Sequence, residues 1–401
     1  MKSLFAESSS KALAADMALR DAVGAARQRS LDWFASMQAP GQPQGVLRSS
    51  AAHDIEAWPG MLLPGTYNGI MGQALLGGLE GSTTTARQAL ASWLLRHRRD
   101  DGIFRIPGMR DGAVYKKPDI AETWRYIDFH VTNYSLGALE VLDACPLPAL
   151  PFAEPYIELQ HLHAWLALRD LRDPWLEGNN IVNLGSFLLQ LRNQDAPYWQ
   201  QAVDLAMQSL FDWHDRLQDP TTGFWGVAQH ANATQLLHAM AGSMHNYHLW
   251  YATGRPLPFQ DKAVDYCLSQ PPKVHSACID VDLVDLMVHA HAQADYRRAE
   301  IRGWLRRLLP ELLAFQNADG GFADVRDGPG VPARRQDGWV LGYAEPQGLS
   351  NTFATWFRWV AIAMIAACLW PDWCAGKGRW RFRRMVGIGY CQPAATRYST
   401  T

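Results

Sequence analysis

The chain has 401 residues, of which 48% are hydrophobic and 19% charged, and its formal net charge is -2. This composition supplies a large buried core, and the small net charge gives no bulk electrostatic attraction to nucleic acid or to an anionic membrane. The six cysteines form no CxxC pair and no zinc-like cluster, and residues 1–15 contain no apolar stretch of a secretory signal. We therefore expect a reduced, cytoplasmic protein.

Four loops along the chain share one pattern, which is the end of an amphipathic helix, a polar stretch, and then a glycine followed by an apolar residue. They lie at 33–47, 93–105, 213–226 and 312–324. Their glycines, Gly45, Gly102, Gly223 and Gly320, are 57, 121 and 97 residues apart. Degenerate copies near 173–174 and 270–272 fill the two long gaps, which gives six units. A period of about 50 to 60 residues built from helix pairs is typical of a stacked or closed helical repeat.

The helical periodicity between these loops predicts one outer and one inner helix in each unit. The outer helices are predicted at 10–38, 84–99, 155–170, 197–217, 257–269 and 297–316. The inner helices are predicted at 66–79, 129–143, 179–193, 243–253, 277–293 and 350–369, and they are apolar all round, as buried helices are. The fold class predicted is all-α, an (α/α)6 toroid of about six helical hairpins with parallel inner helices.

The toroid is expected to form one domain over residues 1–401. The irregular stretch 322–347 is a candidate lid, and 375–401 is expected to be a flexible tail. The apolar run 359–370 is too short to span a bilayer and is predicted to be part of a buried core helix.

Polar residues recur at the predicted starts of the inner helices, where five carry Asn and the sixth carries Asp. Capping of free backbone N–H groups would explain the amides but not the histidines and tyrosines beside them. We therefore predict a polar pocket at this end, with the following substrate-binding candidates: Tyr67, Asn68, His130, Asn133, Asn180, His245, Asn246, His248 and Arg358.

The segment 275–291 brings acidic residues and histidines onto one predicted helix. Asp282, Asp285 and His289 lie at i, i+3 and i+7 and therefore share a face. Burial of two neighbouring carboxylates would raise the pKa of one of them and create a proton donor. Alternatively, Asp280 caps the helix and the other carboxylates pair with Arg or His. A metal set of His275, Asp282, Asp285 and His289 has no specific spacing, so we predict no metal and no cofactor.

Two motifs carry a family resemblance. The phrase Gln316-Asn317-Ala318-Asp319-Gly320-Gly321-Phe322 resembles the repeats of squalene–hopene cyclases and protein prenyltransferase β-subunits, and 213–225 is a degenerate copy. Asp280-Val281-Asp282-Leu283 is similar to the DxDD acid motif of class II terpenoid cyclases, with Leu283 in place of the last Asp and Asp285 as its nearest substitute. The resemblance implies Asp282 as the general acid and Asp280 as its flanking carboxylate. The catalytic candidates are thus Asp280, Asp282, Asp285 and His289.

The leading hypothesis is a terpenoid-cyclase-like enzyme, an isomerase or lyase, that protonates an isoprenoid. The first alternative is a glycan-active toroid, a lyase, hydrolase or epimerase that uses His, Tyr, Asn and Arg. The second is a non-catalytic toroid that binds a lipid or another partner. We expect a small-molecule substrate, an isoprenoid or a sugar, and no nucleic acid; peripheral membrane contact and the oligomeric state stay open.

Overall fold

Helices make up most of the protein. The computed structural model describes residues 2–109, 123–144, 146–193, 197–326, 343–375 and 380–391. The structure is 62% helical, and the described ranges contain isolated β-bridges but no strand. The prediction of an all-α protein is confirmed.

Long helices of two kinds alternate along the chain. The outer ones are α1 (Lys2–Ser36), α3 (Thr84–Leu95), α5 (Leu159–Ala167), α7 (Pro197–Leu217), α9 (Gln260–Ser269) and α11 (Arg298–Ala314). The inner ones are α2 (Leu62–Leu75), α4 (Thr123–Val141), α6 (Pro174–Arg192), α8 (Ala233–Thr253), α10 (Ala277–Gln293) and α12 (Thr352–Leu369), and α13 (Pro371–Ala375) follows them. Short 3-10 turns lie at Pro59–Met61 and Pro151–Ile157.

The inner helices pack against one another in chain order. Each of the pairs α2–α4, α4–α6, α6–α8, α8–α10 and α10–α12 is in contact, and α12 returns to α2. Helices α6 and α8 approach each other closely at two glycines: a Cβ atom added to Gly178 would lie 2.2 Å from the carbonyl oxygen of Gly242. The contacts between inner helices therefore form a closed cycle, with the outer helices packed on it.

Helix α12 is the apolar helix that the sequence predicted as core. In the described part of the chain it alone is long and apolar enough to cross a membrane, and 89% of it is buried inside the protein. A helix surrounded by protein needs no lipid to cover its apolar side chains, so its burial agrees with the predicted core role.

The repeated loops are attached to the inner helices by a repeated hydrogen bond. In four units a hydroxyl on the inner helix accepts from the backbone N–H two residues after the loop glycine, at 2.9–3.0 Å. The pairs are Thr66 with Leu47, Thr132 with Phe104, Ser243 with Trp225, and Thr355 with Phe322. The four loop glycines have positive φ values between 76° and 96°, a conformation that favours glycine.

Four inner helices begin earlier than the sequence predicted. Helices α2, α4, α6 and α8 begin at 62, 123, 174 and 233 rather than at 66, 129, 179 and 243. The caps present are Asp173, Asn232, Ser276 and Asn351. The prediction placed the starts at polar residues because such residues often cap helices, but Asn68, Asn133, Asn180 and Asn246 lie inside helices, so capping does not explain them.

The chain near its C-terminus is buried in part. Val386, Ile388 and Tyr390 are each at most 6% exposed, so the stretch 380–391 differs from the flexible tail expected over 375–401. Its apolar side chains pack into the core. Residues 376–379 and 392–401, like most of the candidate lid (327–342), lie outside the described residues.

Replacing Thr132 by Val would remove the hydroxyl that accepts from the buried N–H of Phe104 while keeping the side-chain shape. We expect the free energy of unfolding to fall by about 1–3 kcal/mol, because a buried donor is left without a partner. Urea unfolding followed by circular dichroism measures this loss. Thr132→Ser keeps the hydroxyl and should lose less; a Val variant as stable as the wild type would contradict the role of this hydrogen bond.

Candidate functional site

Helix α10 carries the candidate acidic residues. Its N-terminus is capped by Ser276, and Asp280, Asp282, Asp285 and His289 are all at most 4% exposed. A buried carboxylate is stable only when it is paired, hydrogen-bonded or protonated. The three aspartates meet this requirement in three different ways.

Asp280 is held by Arg358 of α12. The guanidinium of Arg358 pairs with the carboxylate of Asp280 and also donates to the carbonyl oxygens of Ala323, Asp324 and His275. The other oxygen of Asp280 accepts from the backbone N–H of His275 at 2.9 Å. The ion pair and the backbone hydrogen bonds satisfy the charged groups of both side chains. We therefore interpret Asp280 and Arg358 as an ion pair that stabilises the fold, here called the clamp, rather than as groups that act on substrate.

Asp285 contacts two histidines. Its Oδ1 lies 2.9 Å from Nε2 of His248, which comes from α8, and 3.7 Å from Nε2 of His289, one turn further along α10. The ring of His289 stacks on Tyr251 with centroids 4.0 Å apart, and its pKa is lowered, chiefly by burial. The donor atoms of His248, Asp285 and His289 all lie within 4.8 Å of one another.

Asp282 is the aspartate without a partner. It is 1% exposed, and neither carboxyl oxygen has a hydrogen-bond partner in the described part of the chain. Burial raises the pKa of Asp282 well above its usual value, and the nearby charges of Asp285 and Asp280 raise it further. The carboxyl group is thus held in its protonated form to higher pH than an ordinary aspartate.

Three of the candidate histidines lie on α4 and α8. Burial lowers the pKa of His245 well below its usual value, and the neighbouring His248 and His130 lower it further. His130 stacks at a tilt on Tyr134, with ring centroids 4.1 Å apart. The structure therefore brings His130 from α4 close to His245 and His248 from α8, and a common pocket around them stays a prediction.

Aromatic rings from three inner helices meet beside the histidines. Tyr134 of α4 contacts Tyr67 of α2 and Trp356 of α12, edge to face, with centroids 5.6 Å and 5.2 Å apart. Phe357 also contacts Tyr134 and Trp356. Trp356 and Phe357 were not predicted as site residues. The apolar sequence of α12 indicates a core helix, in which only Arg358 stands out as a candidate.

The candidate amides fall into two groups. Both amide atoms of Asn68 and the carbonyl oxygen of Asn180 are buried without a hydrogen-bond partner among the described residues. The amide nitrogen of Asn180 donates to Glu177 at 3.1 Å. Asn246 interacts with His214, and Asn133 binds Arg383 and the carbonyl oxygen of Val386. Two of the four amides thus keep unused hydrogen-bonding atoms.

The segment 380–391 reaches the acidic cluster from the C-terminal side. The carbonyl oxygen of Tyr390 lies 3.4 Å from Nε2 of His289, and the Tyr390 ring lies nearly parallel to that of His289. Burial and the charge of Asp285 raise the pKa of the adjacent Cys391 thiol to about 12. The alternating apolar residues of 386–390 were the only sequence signal for this contact.

No protein-family model and no curated protein matches this chain. The residues that the structure brings together are therefore the basis for proposing a function.

Replacing Arg358 by Met would leave Asp280 as a buried charge without its partner. We expect the free energy of unfolding to fall by about 3–5 kcal/mol, the usual cost of breaking a buried ion pair. The double variant Asp280→Leu/Arg358→Met should recover part of this loss. Chemical denaturation measures both. Arg192→Met, at the exposed pair with Asp204, is the control and should change stability little; a similar effect there would contradict the clamp.

Asp282 should make stability depend on pH in a defined direction. The pKa of Asp282 is higher in the folded than in the unfolded state. Its stabilising contribution to the free energy of unfolding is therefore fully present below the unfolded-state pKa and is lost as pH rises through the folded-state pKa. Asp282→Asn should therefore become more stable relative to the wild type as pH increases. Melting temperatures from about pH 4 to about pH 9 test this. The exposed Asp295→Asn should follow the wild type, and parallel curves for Asp282→Asn would contradict the raised pKa.

Proposed function

We propose that the protein is an enzyme that uses protonated Asp282 as a general acid on an isoprenoid-type substrate, in the manner of class II terpenoid cyclases. The observation that carries the proposal is the fully buried carboxyl group of Asp282, which has no hydrogen-bond partner among the described residues. A general acid must keep its proton near neutral pH, and burial next to Asp285 favours the neutral form.

We further propose that the inner helices form the parallel inner ring of an (α/α)6 toroid. The closed cycle of contacts from α2 through α12 and back supports this arrangement. The hydroxyl-to-loop hydrogen bond recurs in four units and supports equivalent orientations for those inner helices. In this fold the polar and aromatic candidates of successive inner helices share one interior.

The proposed reaction needs no co-reactant. The Asp282 proton adds to one carbon of a double bond, and the neighbouring carbon becomes a cation that the next double bond attacks to close a ring. The π faces of Tyr134 and Trp356 suit the stabilisation of such a cation. The final carbocation loses a proton to a base, and the neutral imidazole of His245 is a suitable acceptor. The product is an isomer of the substrate.

A glycan-active enzyme is the second candidate. It is favoured by the unused amide atoms of Asn68 and Asn180, because hydroxyl-rich ligands satisfy such groups. In this case Asp282 would give its proton to a glycosidic oxygen. A non-catalytic role in binding a lipid or a protein is the third candidate. We also propose that the protein is cytoplasmic and does not bind nucleic acid.

Asp282→Asn should lower turnover by about 100-fold or more while the fold is retained, because the amide has no proton to give. Purified protein is incubated with linear prenyl diphosphates, with squalene and with uronate oligosaccharides, and products are identified by mass spectrometry. Asp295→Asn is the matched control and should keep full activity. Turnover of the sugars alone would reject the isoprenoid proposal, and absence of turnover with all of them would favour the binding role.

A further inference from the structure

The histidine–aspartate cluster between α8 and α10 has the donor set of a metal site. Nε2 of His248 and Nε2 of His289 approach the same carboxylate oxygen of Asp285, at 2.9 Å and 3.7 Å. Ligand atoms on a tetrahedral zinc ion lie about 3.4 Å apart, given bonds of about 2.0–2.1 Å. The observed spacing is therefore close to that of a three-ligand centre, and small side-chain movements would complete it.

The charge balance of the interior favours a cation at this point. Arg358 neutralises Asp280, but Asp285 has no arginine or lysine partner among the described residues. Its Oδ2 is buried and has no hydrogen-bond partner there. Buried carboxylates are stabilised by pairing or by metal coordination, and a divalent cation would satisfy Asp285.

The three donor groups are also held in place. Asp285 and His289 are four residues apart on one helix and so project to the same side. The ring of His289 lies between Tyr251 and Tyr390, at 4.0 Å and 6.4 Å between centroids, and is nearly parallel to both. A site with fixed ligands loses less conformational entropy on binding than one that must be assembled.

We propose that His248, Asp285 and His289 bind a divalent transition-metal ion of the zinc class. Two imidazoles and one carboxylate suit Zn²⁺ or Fe²⁺, whereas Mg²⁺ and Ca²⁺ prefer oxygen ligands throughout. Three protein ligands leave a coordination position for water or substrate, and Asp282 lies one helical turn away. His248 comes from another helix, so the spacing of residues along 275–291 does not reveal this donor set.

Zn²⁺ binding to the untagged full-length protein tests the proposal. After chelator treatment and dialysis, calorimetry and elemental analysis should give one Zn²⁺ per chain, and Zn²⁺ should raise the melting temperature. His289→Ala and Asp285→Asn should each weaken binding by more than about 100-fold, because even an outer-shell partner contributes about 10–100-fold. His291→Ala, on the same helix but outside the cluster, should bind as the wild type does.

Far-UV circular dichroism checks that the variants are folded. The absorption spectrum of the Co²⁺-loaded wild-type protein reports whether the ligands are nitrogen and oxygen atoms, and it needs no variant. Absence of Zn²⁺ binding to the wild type, or binding that His289→Ala leaves unchanged, would overturn the proposal and leave a hydrogen-bonded histidine–aspartate pair. The Zn²⁺-binding assay contains no substrate, so its outcome does not depend on the acid catalysis proposed above. Turnover is measured separately, once in chelator and once with added Zn²⁺.

Discussion

The inner helices are buried over most of their length, and this constraint governs the polar groups on their buried parts. Buried polar atoms must find partners within the protein or carry an energetic cost. Thr66, Thr132, Ser243 and Thr355 meet the constraint by accepting from the repeated loops. Asp282 and Asn68 are among the residues in the described part of the chain whose buried polar atoms have no hydrogen-bond partner, and exceptions of this kind are typical of functional positions.

One helix illustrates how neighbours decide the chemistry of a side chain. Asp280, Asp282 and Asp285 are identical residues within two turns of α10, yet α12 supplies an arginine to the first and α8 supplies a histidine to the last. The middle residue receives neither. Its proton affinity rises because burial removes water and the adjacent carboxylates add negative charge. A proposed proton donor, a structural ion pair and a proposed metal ligand thus arise from one residue type.

The segment 380–391 connects the end of the chain to this cluster. Arg383 binds Asn133, and Arg384 pairs with Glu140, so the segment is attached to α4 before Tyr390 reaches His289. Burial lowers the pKa of Arg383, and its contacts with carbonyl oxygens and with Asn133 offset the cost of that burial. Asn133 therefore holds the segment 380–391 in place. His289 has Tyr390 as a second aromatic neighbour beside Tyr251.

The sequence by itself determined the all-helical class, the alternation of outer and inner helices and the bounds of α10, because these depend on local periodicity and on glycine loops. It also placed Asp282, Asp285 and His289 on one face, which helical geometry fixes. Tertiary structure decided the rest. The sequence could not assign Arg358 to Asp280 or His248 to Asp285, since these partners are 78 and 37 residues apart. Helix starts were misplaced because polar residues inside the helices were taken for caps. Helices α6 and α8 begin earlier, after the caps Asp173 and Asn232, and α2 begins in an apolar segment without a side-chain cap.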